Sequence, residues 1–445
     1  MSYVYPYKDI SGWTDGPEDR QAALDSHVKA DVVVVGGGYT GLTTALALRE
    51  RGQDVAIVEQ EFVGSGASGR NAGHVAPTIG KDIPSLLSFF GEEKAKKLMA
   101  YADSAVEYTE HTIKKYAIDC EYESTGNIVV GLLPKHEAKL RKAAETARSL
   151  GAPVRYLDSQ EVRDRQLPAA FTCGLLEERG GILNPAKYVM GLRDAALKAG
   201  VRIYEDSKLI SLEEGQTVKA VTEKGSISAD KAVLATNAYT KSTGCHKRTV
   251  VPVRVTMFES QPLSDAQLAN LGWLGREGLY SAHETMESFR LTARNTIVGG
   301  TKTVSYAYGS SLANGYNEKV FQTIEGGFRE RFPELADVKI AQWWGGWIGF
   351  TLDFLPMIGV SGAHNNIYHG FGYGGHGVPQ ATMMGSMLAD KIDGVENNWE
   401  QVLRRKQFNW PPEPLRWLGA KSILSVCNAM DRRTDRQIRK LKLPS

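Results

Sequence analysis

The sequence predicts an α/β chain with two interleaved domains, and three observations predict it. A β-branched run, Ala30 to Val35, stops at glycines. It is followed by an Ala- and Leu-rich stretch, Thr40 to Arg51, and a second apolar run, Asp54 to Glu59. That is strand, helix and strand within about 30 residues, the unit of a parallel sheet. A similar buried run returns at Lys231–Ala235, and a helical stretch opening on glycine returns at Gly377–Ile392. Between them, short runs alternate apolar and polar residues, as antiparallel strands do. The expected fold is therefore a Rossmann-like dinucleotide-binding domain interleaved with a second domain built on a mixed, largely antiparallel sheet. A chain of 445 residues is too long for one ordinary core. The first domain is expected over 30–84, 181–244 and 346–400, and the second over 85–180 and 245–345. Residues 1–29, polar and aromatic without period, read as an extension lying on the surface, and 401–445 as a C-terminal helical tail.

In order along the chain, Ile83 to Tyr116 is helical by its apolar spacing and Lys/Glu pairs. Asn127–Leu133 reads as a strand and His136–Leu150 as a helix. Asn184 caps a helix with Pro185 in its first turn and Gly200 at its end. Short strands follow at Val201–Tyr204, Lys208–Glu213, Thr217–Thr222 and Ser226–Ala229. The second domain continues with strands at Val250–Glu259, Ser288–Thr292 and Thr296–Gly300, then a helix from Asn317 to Phe332. Ile367–Tyr368 ends a short strand before the glycine-opened helix.

Apolar residues make up 42% and charged residues 23%, the balance of a soluble globular protein. A net charge of +2 with scattered Lys and Arg gives no footprint for nucleic acid. The exception to the scatter is a basic tail from Arg432 to Lys442. It reads as a solvated helix face, or as a contact for an acidic partner or a membrane surface. No run of ~18 apolar residues occurs, so integral membrane association is not expected. The N-terminal residues lack a basic stretch followed by an apolar core, so no secretory leader is read and a cytoplasmic location is expected. Cys120, Cys173, Cys245 and Cys427 lack metal-ligand spacing, which gives reduced structural thiols and no metal.

Gly36, Gly38 and Gly41 form G-x-G-x-x-G between the first strand and the first helix. The first glycine permits the turn, the second lets the backbone approach a pyrophosphate, and the third packs helix on strand. The helix N-terminus offers N–H groups and a positive dipole end to phosphates. Glu59, at the end of the second strand and about 20 positions on, is placed to accept from ribose hydroxyls. The motif alone leaves NAD and FAD open.

The segment Gly64-Ser65-Gly66-Ala67-Ser68-Gly69-Arg70-Asn71-Ala72-Gly73-His74 follows directly. It resembles the segment by which the D-amino acid oxidase/glycine oxidase superfamily of flavoenzymes holds pyrophosphate and flavin. Ala235-Thr236-Asn237 resembles the family's second nucleotide-contact turn, and Gly370 to Gly377 its glycine-rich turn at the flavin's pyrimidine end. Within the superfamily, VVVGGGYTGL, GASGRNAG, YAIDCEYESTG, FRLTARN, NIYHGFGYGGHGV and the tail PPEPLRWLGAKSI are similar to the γ-glutamylputrescine oxidase subfamily. The similarity runs from Val33 almost to the C-terminus. The resemblance implies FAD as cofactor. It assigns to FAD the residues Gly36, Gly38, Tyr39, Thr40, Gly41, Glu59 and Gln60, then Gly66, Ala67, Ser68, Arg70, Asn71, Gly73 and His74. Leu209, Ala235, Thr236, Asn237 and Gly346 join them, as do Gly372, Tyr373, Gly374, Gly375, His376, Gly377 and Val378. Relatives that bind flavin covalently use a Cys in the stretch matching Gly345–Asp353, or a His near Arg70. This chain has neither, and His74 lies four residues on, so non-covalent FAD is expected. The family's oxygen-activating Lys has no match in Thr296-Ile297-Val298-Gly299-Gly300, which leaves oxidase and dehydrogenase both open.

The implied reaction is oxidation of a small-molecule primary or secondary amine, possible substrates including a γ-glutamylated polyamine. Hydride passes to flavin N5, the imine hydrolyses to an aldehyde, and oxygen is reduced to hydrogen peroxide. In the alternative, a dehydrogenase, electrons pass to a quinone or protein acceptor. The amine must be neutral, which an apolar pocket favours. Positive charge near the ring stabilises the reduced flavin, and Arg70 and the helix after Gly377 are candidates to supply it. His376, Arg70 and Trp344 are the candidate catalytic residues. Trp343, Trp344 and Trp347 are expected to wall an amine channel, unless they are ordinary core. Arg290 is either the partner of a substrate carboxylate or half of a surface ion pair. His283 and His369 are weaker candidates for a base, and Asp353 reads as structural.

Overall fold

The structure is a computed structural model describing residues 5–80, 82–312 and 315–442. Residues 1–4 of the expected extension, Lys81, 313–314 and 443–445 of the tail lie outside the described residues. Two large sheets organise the molecule. The first runs Met357–Ser361, Ile367–Phe371, Ser226–Leu234, His27–Val35, Val55–Val58 and Arg202–Tyr204. Its strands from Ile367–Phe371 onward are parallel, with Val35 level with both Val58 and Leu234. Val32, Val33 and Val34 are wholly buried because helices cover one face and a β-hairpin layer the other, which is why this strand shows no alternation. The helices Tyr39–Glu50 and Gly377–Ile392 pack together there, and Gly385 lets them close: a Cβ on it would sit 2.5 Å from Thr44 N.

The second sheet runs Ile340–Phe350, Val251–Ser260, Ile297–Thr301, Glu287–Leu291, Gly278–Ser281, Asn127–Gly131, Cys173–Glu177 and Val154–Leu157. All its pairings are antiparallel except that between Gly278–Ser281 and Asn127–Gly131. The mixed, largely antiparallel sheet expected from the sequence is present. Its core is aromatic, with Phe258, Phe289, Phe321, Phe328, Phe332 and Trp343 buried together.

Several elements differ from expectation. The runs at 226–229 and 231–235 are one strand, Ser226–Leu234. The helix Ile83–Lys115 is kinked at Gly91, whose φ of 74° breaks the helical path. The strand Ile340–Phe350 was not anticipated and runs through position 345/346, because its three Trp and three Gly hide the period of two. Residues 5–26 do not simply lie on the surface. Tyr5, Ser11, Trp13 and Leu24 are buried. Lys8 N donates to the Trp343 carbonyl (2.7 Å) and Trp343 N to that of Pro6 (2.8 Å). Ile340–Phe350 is an edge strand, and these residues satisfy backbone groups that an open edge would leave unpaired.

The tail is the 28-residue helix Leu415–Lys442, docked on the second sheet by its C-terminal half. Asp435 contacts Arg331 (2.7 Å), Lys302 (3.0 Å) and His283 (3.2 Å), and Glu287 joins the same buried cluster through Arg331 and Lys302. Against burial that raises both, the His283 hydrogen bond with Lys302 and Arg331 holds the Asp435 carboxyl well below the carboxylate range, and Arg331 and Lys302 pull Glu287 down to about 2.

Candidate functional site

A cavity of about 580 Å³ opens where the parallel strands end and the second sheet begins, the crevice in which α/β sheets bind ligands. At one end the chain turns at Gly36, whose φ of 108° suits glycine and whose Cβ, if present, would lie 2.9 Å from the Ala235 carbonyl oxygen. A Cβ on Gly41 would fall on the Gly36 carbonyl, so this glycine packs helix on turn and does not line the cavity. Gly38 caps the first helix without a side-chain bond, and Tyr39 N donates to Ser68 Oγ at 3.1 Å. Glu59 Oε2 accepts from Gly37 N at 2.7 Å, and Oε1 from Glu61 N at 3.2 Å. Burial raises its carboxyl pKa, and the residue faces the cavity with Gln60, Lys208 and Leu209.

The small-residue segment wraps over this end. Asn71 Nδ2 donates to the carbonyls of Ser68 (2.8 Å) and Ala67 (3.1 Å), and Asn71 Oδ1 accepts from Gly73 N (2.8 Å). The Arg70 guanidinium donates to the carbonyls of Ser65 (2.5 Å), Gly345 (3.1 Å) and Asp9. It places a charge at the cavity wall but spends its donors on backbone, tying the segment to both the second sheet and the N-terminal residues. Tyr373, Gly374, Gly375, His376, Gly377 and Val378 line the wall where the helix Gly377–Ile392 opens, and Tyr373 Oη lies 2.6 Å from Thr40 Oγ1. His376 Nδ1 lies 3.2 Å from the Gly374 carbonyl, and burial lowers its pKa.

His74 is fixed more tightly. Asn127 Nδ2 donates to the Val75 carbonyl (2.9 Å), which turns Asn127 Oδ1 toward His74 Nδ1 at 3.0 Å. The ring is therefore protonated on Nδ1 and carries a lone pair on Nε2. Nε2 is buried and has no partner among the described residues, and burial pulls the pKa down to about 3, so the ring is neutral.

The lining thus brings together Gly36, Gly38, Tyr39, Thr40, Glu59, Gln60, Gly66, Ala67, Ser68, Arg70, Asn71, Gly73 and His74. With them are Leu209, Ala235, Thr236, Asn237, Gly346, Trp347 and the turn at Tyr373–Val378. Gly372 stands just behind, its N–H on Asn237 Oδ1 at 3.0 Å. Three expected substrate or catalytic residues are not part of the wall. Trp343 is core, stacked on Phe321 at 4.8 Å. Trp344 is buried against Trp13 and donates Nε1 to the Arg70 carbonyl at 2.9 Å, so it supports Arg70 from behind. Arg290 is neither at the surface nor in the cavity. It is 1% exposed, lies over Trp13, and bonds the carbonyls of Leu183 and Gly73. Strand alternation sends it inward, and burial lowers its pKa to about 10. His283 belongs to the ionic cluster, His369 packs on His246 and Phe371, and Asp353 pairs with Arg405.

The wall also contains residues that sequence reasoning passed over. Tyr239 lies within 3.3 Å of where a Cβ on Gly66 would be. Tyr280, Glu284 and Tyr306 come from the second sheet and its loops. Ala420, Ile423, Leu424 and Cys427 come from the C-terminal helix, and their i, i+3, i+4, i+7 spacing was a signal the sequence did carry.

The elongated cavity, the glycine turns a side chain would fill, the uncapped helix start and the orphaned His74 Nε2 fit a dinucleotide cofactor with a substrate space beside it. They define an α/β enzyme that takes a nucleotide cofactor. The chain belongs to the DAO family of FAD dependent oxidoreductases, whose pattern matches residues 31–391. It is similar to gamma-glutamylputrescine oxidoreductase of Escherichia coli (strain K12), 29% identical over 391 residues that cover 87% of this chain and 89% of that one. In structure it is similar to glycine oxidase from Geobacillus kaustophilus, with a TM-score of 0.73 at 18% identity over 86% of this chain and 100% of that one. It also resembles L-proline dehydrogenase from P. horikoshii, with a TM-score of 0.71 at 21% identity over 85% and 98%. These two likenesses establish the fold, and the family establishes FAD as the cofactor.

Proposed function

We propose that this enzyme oxidises an amine on an aliphatic chain, using non-covalently held FAD, and releases an aldehyde and ammonia. The observation that carries this reading is the half of the cavity away from the nucleotide end. Val251, Val253, Val255, Met257, Ile348 and Phe350 make it apolar, and Arg70, whose stem lies at Gly346 on the same wall, spends its guanidinium on backbone carbonyls. Such walls disfavour an ammonium and leave the amine neutral. The neutral His74 holds an unspent lone pair on Nε2 behind this wall, and the Nδ1 bond to Asn127 keeps that tautomer. When bound, FAD supplies the acceptor for the hydride leaving the carbon next to nitrogen. Oxygen is the proposed terminal acceptor, reduced to hydrogen peroxide. Glu284 is an exposed lining residue whose carboxylate lies 3.8 Å from Lys139 Nζ. In exchange for that loose pair, it is the proposed partner of a second cationic group at the far end of the chain. A diamine and the free α-ammonium of a γ-glutamyl cap both provide one, and the name of the Escherichia coli relative supports the glutamylated polyamine. Arg290 does not reach the cavity, so it is not assigned an anionic end.

The test is a panel of amines and amino acids mixed anaerobically with the purified yellow protein, followed by oxygen uptake. Bleaching by aliphatic amines, with peroxide formed in air, is expected. Bleaching without oxygen uptake replaces oxygen by a quinone or protein acceptor, and no bleaching by any amine overturns the reading. Acid precipitation is expected to release intact FAD; flavin retained in the pellet refutes non-covalent binding.

A further inference from the structure

The C-terminal helix Leu415–Lys442 has an occupied side and a bare one. On the inner side Ala420, Leu424 and Cys427 wall the cavity, and Asp431 accepts from Glu284 N (2.8 Å) and Thr285 N (2.9 Å). Asp435 and Ile438 complete the docking. The outer side carries Leu415, Leu418, Val426 and Met430, each between 48% and 61% exposed, with Ile423 at its margin, exposed on one side and lining the cavity on the other. At about 100° per residue these five fall in one sector of roughly 140°. Further along the same sector the apolar residues give way to Arg433, Arg436 and Lys440, all exposed. The acids of this helix, Asp431 and Asp435, are turned inward and buried, so they do not neutralise that face.

An apolar face continued by unneutralised cations is the surface of an interfacial helix. Water is a poor environment for five neighbouring apolar side chains, and a second copy of the chain is a poor one for the cations. Pairing two such helices sets arginine against arginine, or arginine against the partner's apolar half. Phosphate headgroups over an acyl boundary satisfy both halves of the face at once. We propose that this helix seats the enzyme on an anionic lipid surface, with Leu418, Val426 and Met430 entering the acyl boundary and Arg433, Arg436 and Lys440 on the phosphates. The attachment is peripheral: among the described residues no helix is long and apolar enough to cross a membrane. The inner side of the seated helix is a wall of the cavity, so the cavity borders the lipid surface. The proposal does not depend on the amine reading.

The test uses the full-length, FAD-loaded enzyme and sedimentation with vesicles of phosphatidylcholine alone or mixed with phosphatidylglycerol. Wild type is expected to pellet with the mixed vesicles at low salt and to be released at high salt. Each cation near an anionic surface contributes about 1 kcal/mol, or about fivefold, so Arg433→Glu with Arg436→Glu should weaken binding more than ~25-fold. Leu418→Glu with Val426→Glu should abolish it. All four positions are exposed and lie outside the cavity wall, so flavin content and the urea unfolding midpoint should stay at wild-type levels and report correct folding. Failure of wild type to pellet, or pelleting that ignores both double variants, overturns the proposal. So does a dimer in light scattering that Leu418→Glu with Val426→Glu dissolves, since the face would then join two copies.

Discussion

Replacing His74 by Gln should flatten the loss of stability on the acid side of neutrality. The histidine is buried and neutral in the folded protein, with a pKa pulled from 6.5 to about 3. In the unfolded chain it protonates as pH falls through about 6.5, while the folded state stays neutral until about 3. The unfolded state therefore binds more protons in that window, and stability falls as pH falls. Above pH 7 the residue contributes almost no pH dependence. Between pH 7 and pH 5 the proton taken up by the unfolded chain favours unfolding by about 2 kcal/mol, and any folded-state pKa up to about 4 gives the same figure. Gln does not titrate. The difference in unfolding free energy between wild type and His74→Gln should thus change by about 2 kcal/mol from pH 7 to pH 5, in favour of the variant. His136 and His369 are also lowered by burial, but they are common to both proteins and cancel. Urea unfolding of the holoenzymes, followed by tryptophan fluorescence at both pH values, measures this. Parallel pH dependence of the two proteins would refute the buried neutral ring, and with it the lone pair on Nε2.

Gly38→Val should purify nearly free of flavin, as read from the visible spectrum, because a Cβ there already lies 2.8 Å from Ser68 Oγ and a branched side chain projects into the space for the cofactor. Arg290→Met should cost about 1–3 kcal/mol in urea unfolding by leaving buried carbonyls unpaired, with the Michaelis constant for a diamine unchanged; a selective rise in that constant would restore Arg290 to substrate binding. Glu284→Gln should raise the Michaelis constant about two- to fivefold for a diamine and leave a monoamine unaffected, the modest factor reflecting a side chain that is 41% exposed.

The parts of the site legible in the sequence are those whose geometry is local. Gly36, Gly38, Gly41 and Glu59 belong to one strand–helix–strand unit, and the turn at Gly374–Gly377 adjoins the helix it opens. Most strands of the two sheets and the helix Gly377–Ile392 were likewise legible, the buried parallel strands as unbroken apolar runs and the others by their period, while Ile340–Phe350 hid its own. What failed depends on partners far along the chain. The same residues can wall a channel or fill a core, and Trp343 fills a core because Tyr5 and Phe321 cover it. Arg290 was placed on a strand correctly, but which face of that strand meets Leu183 and Trp13 is set by pairing across the sheet. The lock on His74 needs Asn127, 53 positions away. The C-terminal helix displays its inward spacing openly, yet the docking that gives the spacing meaning comes from Asp435 meeting Lys302 and Arg331.

The N-terminal residues have a consequence for how the protein is made. Ser11 Oγ donates to the Gly69 carbonyl (2.7 Å) and Trp13 Nε1 to that of Asn71 (2.8 Å), so they clip the segment that wraps the cofactor. They are themselves held by the strand Ile340–Phe350, and Gln342 reaches Gly12 across 330 residues of sequence. A ribosome delivers the clip first and its anchor late. The strand Ile367–Phe371, beside Ser226–Leu234, and the helix that closes the pocket emerge later still. The clip therefore meets its anchor only after the strand Ile340–Phe350 has emerged, and the glycine turn gains its neighbours Ile367–Phe371 and Gly377–Ile392 near the end of synthesis.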